Sequence, residues 1–281
     1  MRVTIATDCA PGQSENEDFA GAVANAAVLL DGAGLSGVDD GGCVHGVAWY
    51  ARKLGTTLLG ELVQDAGDTL TDALMSAITE VADLHRPTCD LSHPGTPSAT
   101  VVILRERGGD LDYLVLADST LVLEDVQAGL TVVTDQREAE IGRRYRAEMD
   151  ALIGGSPAHA NARAEYVAAL RAHRNREGGF FVAAADPEVA KYAVTGTAPL
   201  ATTRSALLLS DGASRLNDRF NQQTWEETLG LVVSNGPSAL ISAVRTAEHG
   251  DMQGRRWPRG KVFDDATAVL CDLAPCACDP Q

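Results

Sequence analysis

Apolar runs that stop on aspartate set the strongest limit on what this chain can fold into. Ala26–Leu30 gives way to Asp31-Gly32, Tyr113–Ala117 to Asp118-Ser119, and Ala206–Ser210 to Asp211-Gly212. Val3–Thr7 runs into Asp8, and Asp264-Asp265 introduces Thr267–Cys271. A short apolar run bounded by turn residues is a buried strand. Strands that release carboxylates at their ends put several negative charges into one small region, which is costly unless something positive neutralises them. The natural partner of an all-oxygen cluster is a hard divalent cation, Mg²⁺ or Mn²⁺.

Apolar runs and alternation predict strands near 3–7, 26–30, 99–104, 113–117, 121–124, 130–133, 180–185, 205–209 and 267–271. Arg107-Gly108-Gly109-Asp110 reads as a hairpin turn, so that part of the sheet is antiparallel. Val44, Val47, Ala48, Ala51, Leu54, Leu58 and Leu62 form one helical stripe, and Leu70, Leu74, Ala77, Ile78, Val81 and Leu84 the next. Gly67-Asp68 between them supplies a turn with an N-cap candidate. A second helical pair is expected near 221–234 and 237–249. Residues 136–178, rich in Arg, Glu and Ala and broken at Gly154-Gly155-Ser156-Pro157, read as two exposed helices inserted as a flap, or as a plain surface hairpin. Interleaved strands and helices with antiparallel pairing predict an α+β sandwich, sheet on sheet with helices outside.

At 281 residues and 45% hydrophobic, the chain can bury a core without disulfides. A net charge of −16 repels nucleic acid and anionic membrane surfaces. No apolar run approaches the roughly 18 residues of a membrane span, and Asp8 comes too early for a signal-peptide core. A cytoplasmic location is the expectation. The six cysteines are scattered, so free thiols are expected, and the Cys271, Cys276, Cys278 tail has too few ligands for structural zinc. His45, His85, His93, His159, His173 and His249 make no ligand-spaced pair and are expected in the core or at the surface.

Gly32-Ala33-Gly34-Leu35-Ser36-Gly37 spells a dinucleotide fingerprint in the wrong context. Asp31 would face the pyrophosphate, Asp39-Asp40 follow at once, and no acid lies between Gly41 and Gly60 to hold a ribose. A glycine beside Asp31 instead lets its carbonyl reach a cation. Glu17, Asp18, Asp31, Asp118, Asp211 and Asp264 could each be a turn or cap residue. Together they suit a two-metal site, which activates a water and needs no covalent nucleophile. No Gly-x-Ser-x-Gly elbow, His-Glu-x-x-His or Walker loop offers another chemistry.

In order, Asn16-Glu17-Asp18-Phe19, Leu29-Leu30-Asp31-Gly32-Ala33-Gly34, Pro97-Ser98-Ala99-Thr100, Leu116-Ala117-Asp118-Ser119, Leu209-Ser210-Asp211-Gly212 and Asp264-Asp265-Ala266-Thr267 resemble the metal-dependent protein serine/threonine phosphatases of type 2C, in their bacterial form. The resemblance implies a four-layer α/β/β/α sandwich with two central, mostly antiparallel sheets. It implies one catalytic domain over 1–275, a flap at about 136–178 and a tail at 276–281. Asp31, Asp211 and Asp264 would be the catalytic metal ligands, with Asp31 bridging two Mn²⁺ or Mg²⁺ ions and Gly32 offering its carbonyl. Asp118 would join Asp211 at a third, weaker ion, and Glu17 and Asp18 would act through waters. Asp264 rather than Asp265 fills the ligand position because it lies three before Thr267.

The implied function is removal of phosphate from phosphoserine or phosphothreonine in a protein substrate by a metal-activated water, in a monomer that binds neither nucleic acid nor membrane. Gln13 stands where the family has a phosphate-binding arginine, and an amide supplies neither the charge nor the bidentate fork. Arg215 is the first substitute to consider, then Arg52 or a flap arginine. The competing reading is a catalytically impaired binding or regulatory module. Ala33 replaces a His or Met, Ala117 a usual Gly, and Asp265 a usual Asn.

Overall fold

The computed structural model describes residues 1–34, 42–64 and 68–273. In chain order these form β1 (Arg2–Asp8), β2 (Phe19–Val23), β3 (Ala26–Ala33), α1 (Val47–Gln64), α2 (Leu70–His85), β4 (Ser98–Arg107), β5 (Asp110–Leu116), β6 (Thr120–Asp125) and β7 (Gly129–Val133). Then come α3 (Arg137–Gly142), α4 (Ala147–Asp150), α5 (Pro157–His173), a 3₁₀ helix (Pro187–Tyr192), β8 (Val194–Pro199), β9 (Thr203–Leu209), α6 (Asp211–Asp218), α7 (Trp225–Asn235), α8 (Pro237–Gly250) and β10 (Ala266–Asp272). Two five-stranded sheets result, ordered β1-β10-β9-β6-β7 and β2-β3-β4-β5-β8, with every named pairing antiparallel.

Strand alternation builds three apolar layers. Ala27 and Leu29 of β3 and Val102 and Leu104 of β4 meet Leu121, Leu123, Leu208 and Val269 of the other sheet. Their neighbours Val28, Leu30, Val101 and Ile103 point the opposite way, onto Leu54, Leu58, Leu74 and Ile78 of α1 and α2. On the far side Leu207, Leu209 and Ala268 pack on Leu216, Val232, Leu240 and Val244 of α6, α7 and α8. Strands buried on both faces lose the polar alternation of a half-exposed sheet, which is why they read as continuous runs. The fold is thus the expected α/β/β/α sandwich.

Several local expectations need correction. The apolar run 180–185 forms no strand; it makes two isolated bridges, Phe180 with Arg174 and Ala183 with Ala99, whose N–H and carbonyl pair with those of Ala183. Its alternation has another cause: Phe181 and Ala183 enter the sheet–helix core, whereas Phe180 and Val182 join Ile141 and Leu170 of the inserted helices. β2, β8 and α6 leave little trace in the sequence, because β2 and β8 are edge strands with few large apolar residues and α6 carries only Ala213 and Leu216 as apolar positions. The inserted segment holds three helices rather than two, the Gly154-Gly155 break falling before Ser156, which caps α5. Thr69, not Asp68, caps α2 through a reciprocal box with Asp72. Val44 lies outside α1 and is exposed. Gly37, Asp39, Asp40, Gly67, Cys276 and Cys278 fall outside the described residues.

Candidate metal centre

Antiparallel connectivity decides where the aspartates go. β3 ends where β4 begins, and β5 ends beside that point because it runs back along β4. In the other sheet, β9 ends where β10 and β6 begin. Asp31, Asp118, Asp211 and Asp264 sit on those ends, so they gather at one end of the sandwich. The two sheets touch there directly: the N–H of Asp211 donates to Oδ2 of Asp31 at 3.3 Å. Asp31 is opposite Thr100, its own N–H donating to Thr100 Oγ1 at 3.3 Å, and that hydroxyl lies 2.6 Å from Ser119 Oγ beside Asp118.

The Asn16-Glu17-Asp18 loop is drawn onto this end by Asp265, whose carboxylate accepts the N–H groups of Ala10 and Glu17, each at 2.7 Å. Asn16 reinforces the loop by accepting the Asp18 N–H and donating to Thr7 Oγ1. Adjacent aspartates therefore have different duties: Asp265 fastens backbone, while Asp264 turns to cations. Two glycines are required by close approach. A Cβ on Gly32 would lie 2.5 Å from the Glu17 carbonyl oxygen, and one on Gly212 would lie 1.9 Å from that of Asp265. Asp118 follows Ala117, which holds a left-handed φ of 68° while buried, a conformation that favours glycine.

Burial raises the proton affinity of the gathered acids, and their mutual repulsion raises it further. Asp31 is pushed well above the ordinary carboxylate range by burial, then by Asp18, Asp211, Asp264 and Asp118. Asp118 is raised to about 7 by burial and then Asp211. Asp18 is raised to about 7, chiefly by burial and further by Asp265 and Asp211. Burial likewise raises Glu17, and burial with Asp264 raises Asp211. Both carboxylate oxygens of buried Asp18 lack a well-formed hydrogen bond, and the neighbouring Thr267 and Ser210 hydroxyls offset its burial only in part. A poorly satisfied carboxylate, repelling neighbours, a close-approach glycine and an all-oxygen donor set together fit hard divalent cations such as Mg²⁺ or Mn²⁺.

Two cations of the chain already lean on the cluster. Lys261 Nζ is 2.6 Å from Asp264 Oδ1, and Arg215 Nη2 is 2.9 Å from Oδ2. Arg215 is buried and also donates to Glu248, which accepts from Arg245, and Arg245 reaches Asp8 at 2.8 Å. Asp8 thus ends its strand on an arginine rather than in the cluster. The same network rules out Arg215 as a free fork for phosphate. Arg52 is exposed, 3.6 Å from Glu15, and Gln13 is exposed in a turn closed by its N–H to the Ala10 carbonyl.

Sequence reasoning missed Lys261 and Glu138. Glu138, in the first turn of α3, is pushed well above the usual range by burial and then by Asp118 and Asp211, so the inserted helices bring another acid to the site. No local pattern marks it, because its neighbours are far away in the chain. Lys261 stands three residues before Asp264, a spacing that could have flagged the pair.

No protein-family model matches the sequence, and no curated protein does. Solved structures do match the fold over nearly its full length. A bacterial serine phosphatase aligns over 100% of both chains at a TM-score of 0.60 and 13% identity. The PPM Ser-Thr phosphatase MsPP from Mycobacterium smegmatis, solved with cacodylate, aligns over 98% of this chain and 99% of its own at 0.56 and 17%. The catalytic domain of the serine threonine protein phosphatase PstP, solved with two manganese ions, aligns over 96% and 97% at 0.54 and 16%. The chain has the fold of the bacterial PPM serine/threonine phosphatases.

Proposed function

We propose that the chain is a Mn²⁺- or Mg²⁺-dependent phosphomonoesterase that acts on phosphoserine or phosphothreonine in proteins. The convergence of Asp31, Asp211, Asp264 and Asp118 at one end of a PPM-type sandwich carries this reading. Two ions held by Asp31, Asp211, Asp264 and the Gly32 carbonyl would activate a water and neutralise charge on the phosphoryl oxygens. Asp118, with Glu138 as the added partner from α3, would hold a third. Glu17 and Asp18 would bind through waters, Glu17 positioned by Asp265 and Asp18 by Asn16. Thr100 keeps Asp31 in register with β4, so the carboxylate that would hold the ions is set by the sheet rather than by a loop.

We read 1–275 as one catalytic domain and 136–178 as its flap. Among the described residues, no helix is long and apolar enough to cross a membrane.

A second reading has its own support. Gln13 cannot clamp a phosphate as an arginine does, and Asp264 has both oxygens engaged by Lys261 and Arg215. Cations on a ligand carboxylate compete with metal, so the same fold could serve as a weakly active binding module. Phosphate release from a phosphothreonine peptide, with and without Mn²⁺, in wild type and Asp31→Ala separates the two. The enzyme reading expects Mn²⁺-dependent release by wild type alone; equal background release from both proteins excludes it.

A further inference from the structure

Four side chains unrelated to the carboxylate cluster converge beneath the start of α1. Cys43 and His45 lie just before this helix, and His85 and Cys89 lie at and after the end of α2. The ligand-type atoms of all four, Cys43 Sγ, His45 Nδ1, His85 Nδ1 and Cys89 Sγ, fall within 4.8 Å of one another. Cys43 Sγ is 3.7 Å from His45 Nδ1 and 3.6 Å from His85 Nδ1. Cys89 Sγ is 3.4 Å from Cys43 Sγ and 3.3 Å from His45 Nδ1.

Four of the six separations, at 3.3–3.7 Å, are those of a coordination tetrahedron, and the other two lie within 4.8 Å. With Zn–S near 2.3 Å and Zn–N near 2.0–2.1 Å, the edges of a Cys₂His₂ tetrahedron come to about 3.3–3.8 Å. Hydrogen bonding is a poor account of the arrangement: thiols are weak donors and weak acceptors, yet Cys43 Sγ faces three of the other groups and Cys89 Sγ two. A disulfide does not explain it either, since the sulfurs stand well beyond the roughly 2.05 Å of an S–S bond. His85 is fully buried, its Nε2 has no hydrogen-bond partner, and its Nδ1 is directed at Cys43. Two thiolates would cancel the charge of the dication, so a neutral centre could sit in this half-buried place.

We propose that Cys43, His45, His85 and Cys89 form a closed, four-ligand structural zinc site. The mixed thiolate and imidazole set and the lack of an open position select zinc over the hard cations suited to the carboxylates. The sequence hid it, because the halves Cys43-x-His45 and His85-x₃-Cys89 meet only when α1 and α2 pack side by side.

The site has a mechanical consequence. It ties the lead-in to α1 to the segment after α2, where the Asp90 N–H already donates to the Gly42 carbonyl at 2.7 Å. Val47, two residues past His45, packs its methyl groups against Gly32 and Gly34, so the zinc would set how α1 presses on the strand bearing Asp31. The proposal does not rest on the phosphatase reading.

The test is metal content in the full chain, purified under reducing conditions without chelator from zinc-supplemented cells. Wild type and Asp31→Asn should each hold about one zinc per chain by elemental analysis. Cys43→Ser/Cys89→Ser should lose it at least tenfold, and Cys9→Ser/Cys271→Ser should keep it. Should the double variant fail to fold, the wild type still decides the matter: Co²⁺ exchanged into it should give the thiolate charge-transfer and tetrahedral d–d bands. Wild type without zinc and without those bands, zinc retained by Cys43→Ser/Cys89→Ser, or a Cys43–Cys89 disulfide found by mass spectrometry overturns the site.

Discussion

The backbone N–H of Asp211 donates to the side chain of Asp31 across 180 residues of sequence and across the gap between the two sheets. This contact fixes the two sheets against each other at the carboxylate cluster, because Asp31 lies near the end of β3 and Asp211 opens α6 two residues after the buried β9. Replacing Asp31 by Asn keeps the shape and removes one charge. Loss of even outer-shell partners of a metal costs about 10–100-fold in affinity or activity. Asp31→Asn should therefore lose at least ~100-fold in Mn²⁺ affinity, read by isothermal titration calorimetry, and at least as much in phosphatase rate. Unchanged Mn²⁺ affinity would remove Asp31 from the centre.

The raised carboxyl groups make a prediction about pH. Asp18 titrates near 7 in the fold against 3.8 for the ordinary group, so the folded state holds its proton more tightly. The sign follows: this group's contribution falls as pH rises from about 4 to about 7, and stays low above that. Without metal, Asp18→Asn should therefore exceed wild type in stability by about 1–3 kcal/mol near pH 8, and the gap should shrink near pH 5. Chelator-treated proteins compared by thermal melts at both pH values would show it. A gap independent of pH contradicts the charge repulsion inferred for this cluster. Added Mn²⁺ should narrow it from the other side, by raising the melting temperature of wild type more than that of Asp18→Asn, which keeps the direct ligands.

Lys261 offers a test of competition. Its ammonium sits 2.6 Å from Asp264 Oδ1, and Asp264, Asp211 and Asp31 hold it protonated against the opposing effect of burial. Lys261→Met should tighten Mn²⁺ binding by about 5–30-fold, since a charge-assisted contact of roughly 1–2 kcal/mol no longer opposes the ion. If Lys261 instead helps hold the substrate phosphate, KM should rise while metal affinity improves. Gln13→Arg complements this variant: a gain in kcat/KM of about tenfold or more is expected where an arginine fork is restored.

Buried Glu248 links Arg215 to Arg245, and through them Asp264 to Asp8. Removing one member leaves uncompensated charge in the interior. Glu248→Ala should cost about 3–5 kcal/mol by chemical denaturation, far more than Asp83→Ala, whose pairing with Arg86 is exposed.

Ala117 holds its left-handed φ of 68° just before Asp118. A Cβ in that region costs about 1–2 kcal/mol, partly offset by the greater freedom of glycine in the unfolded chain. Ala117→Gly should stabilise the protein by up to about 1 kcal/mol without moving Asp118. Denaturant midpoints of the two proteins would decide it, and a loss of stability would show that the methyl group packs more usefully than its strain costs.

The central strands and helices were legible because burial on a fixed period leaves a fixed pattern. Leu29 and Leu30 face opposite layers, and both layers are apolar, so β3 could only be an interior strand. The aspartates that end such strands were legible for the same reason, since a charge marks where burial stops. That they would meet depended on a further fact, that antiparallel neighbours return to the same end, which the Arg107-Gly108-Gly109-Asp110 hairpin only hinted at.

What the chain's order of residues determined was therefore local: which segments are buried, and which acids they release. What only the tertiary structure decided was partnership. The assignment of Arg215 to Glu248 and Asp264, the electrostatic coupling of Glu138 to Asp118 and Asp211, and the meeting of Cys43 and His45 with His85 and Cys89 join residues far apart in the chain. Such contacts depend on how helices and sheets dock. Docking is set by the summed burial of whole faces, and no short window of sequence contains that sum.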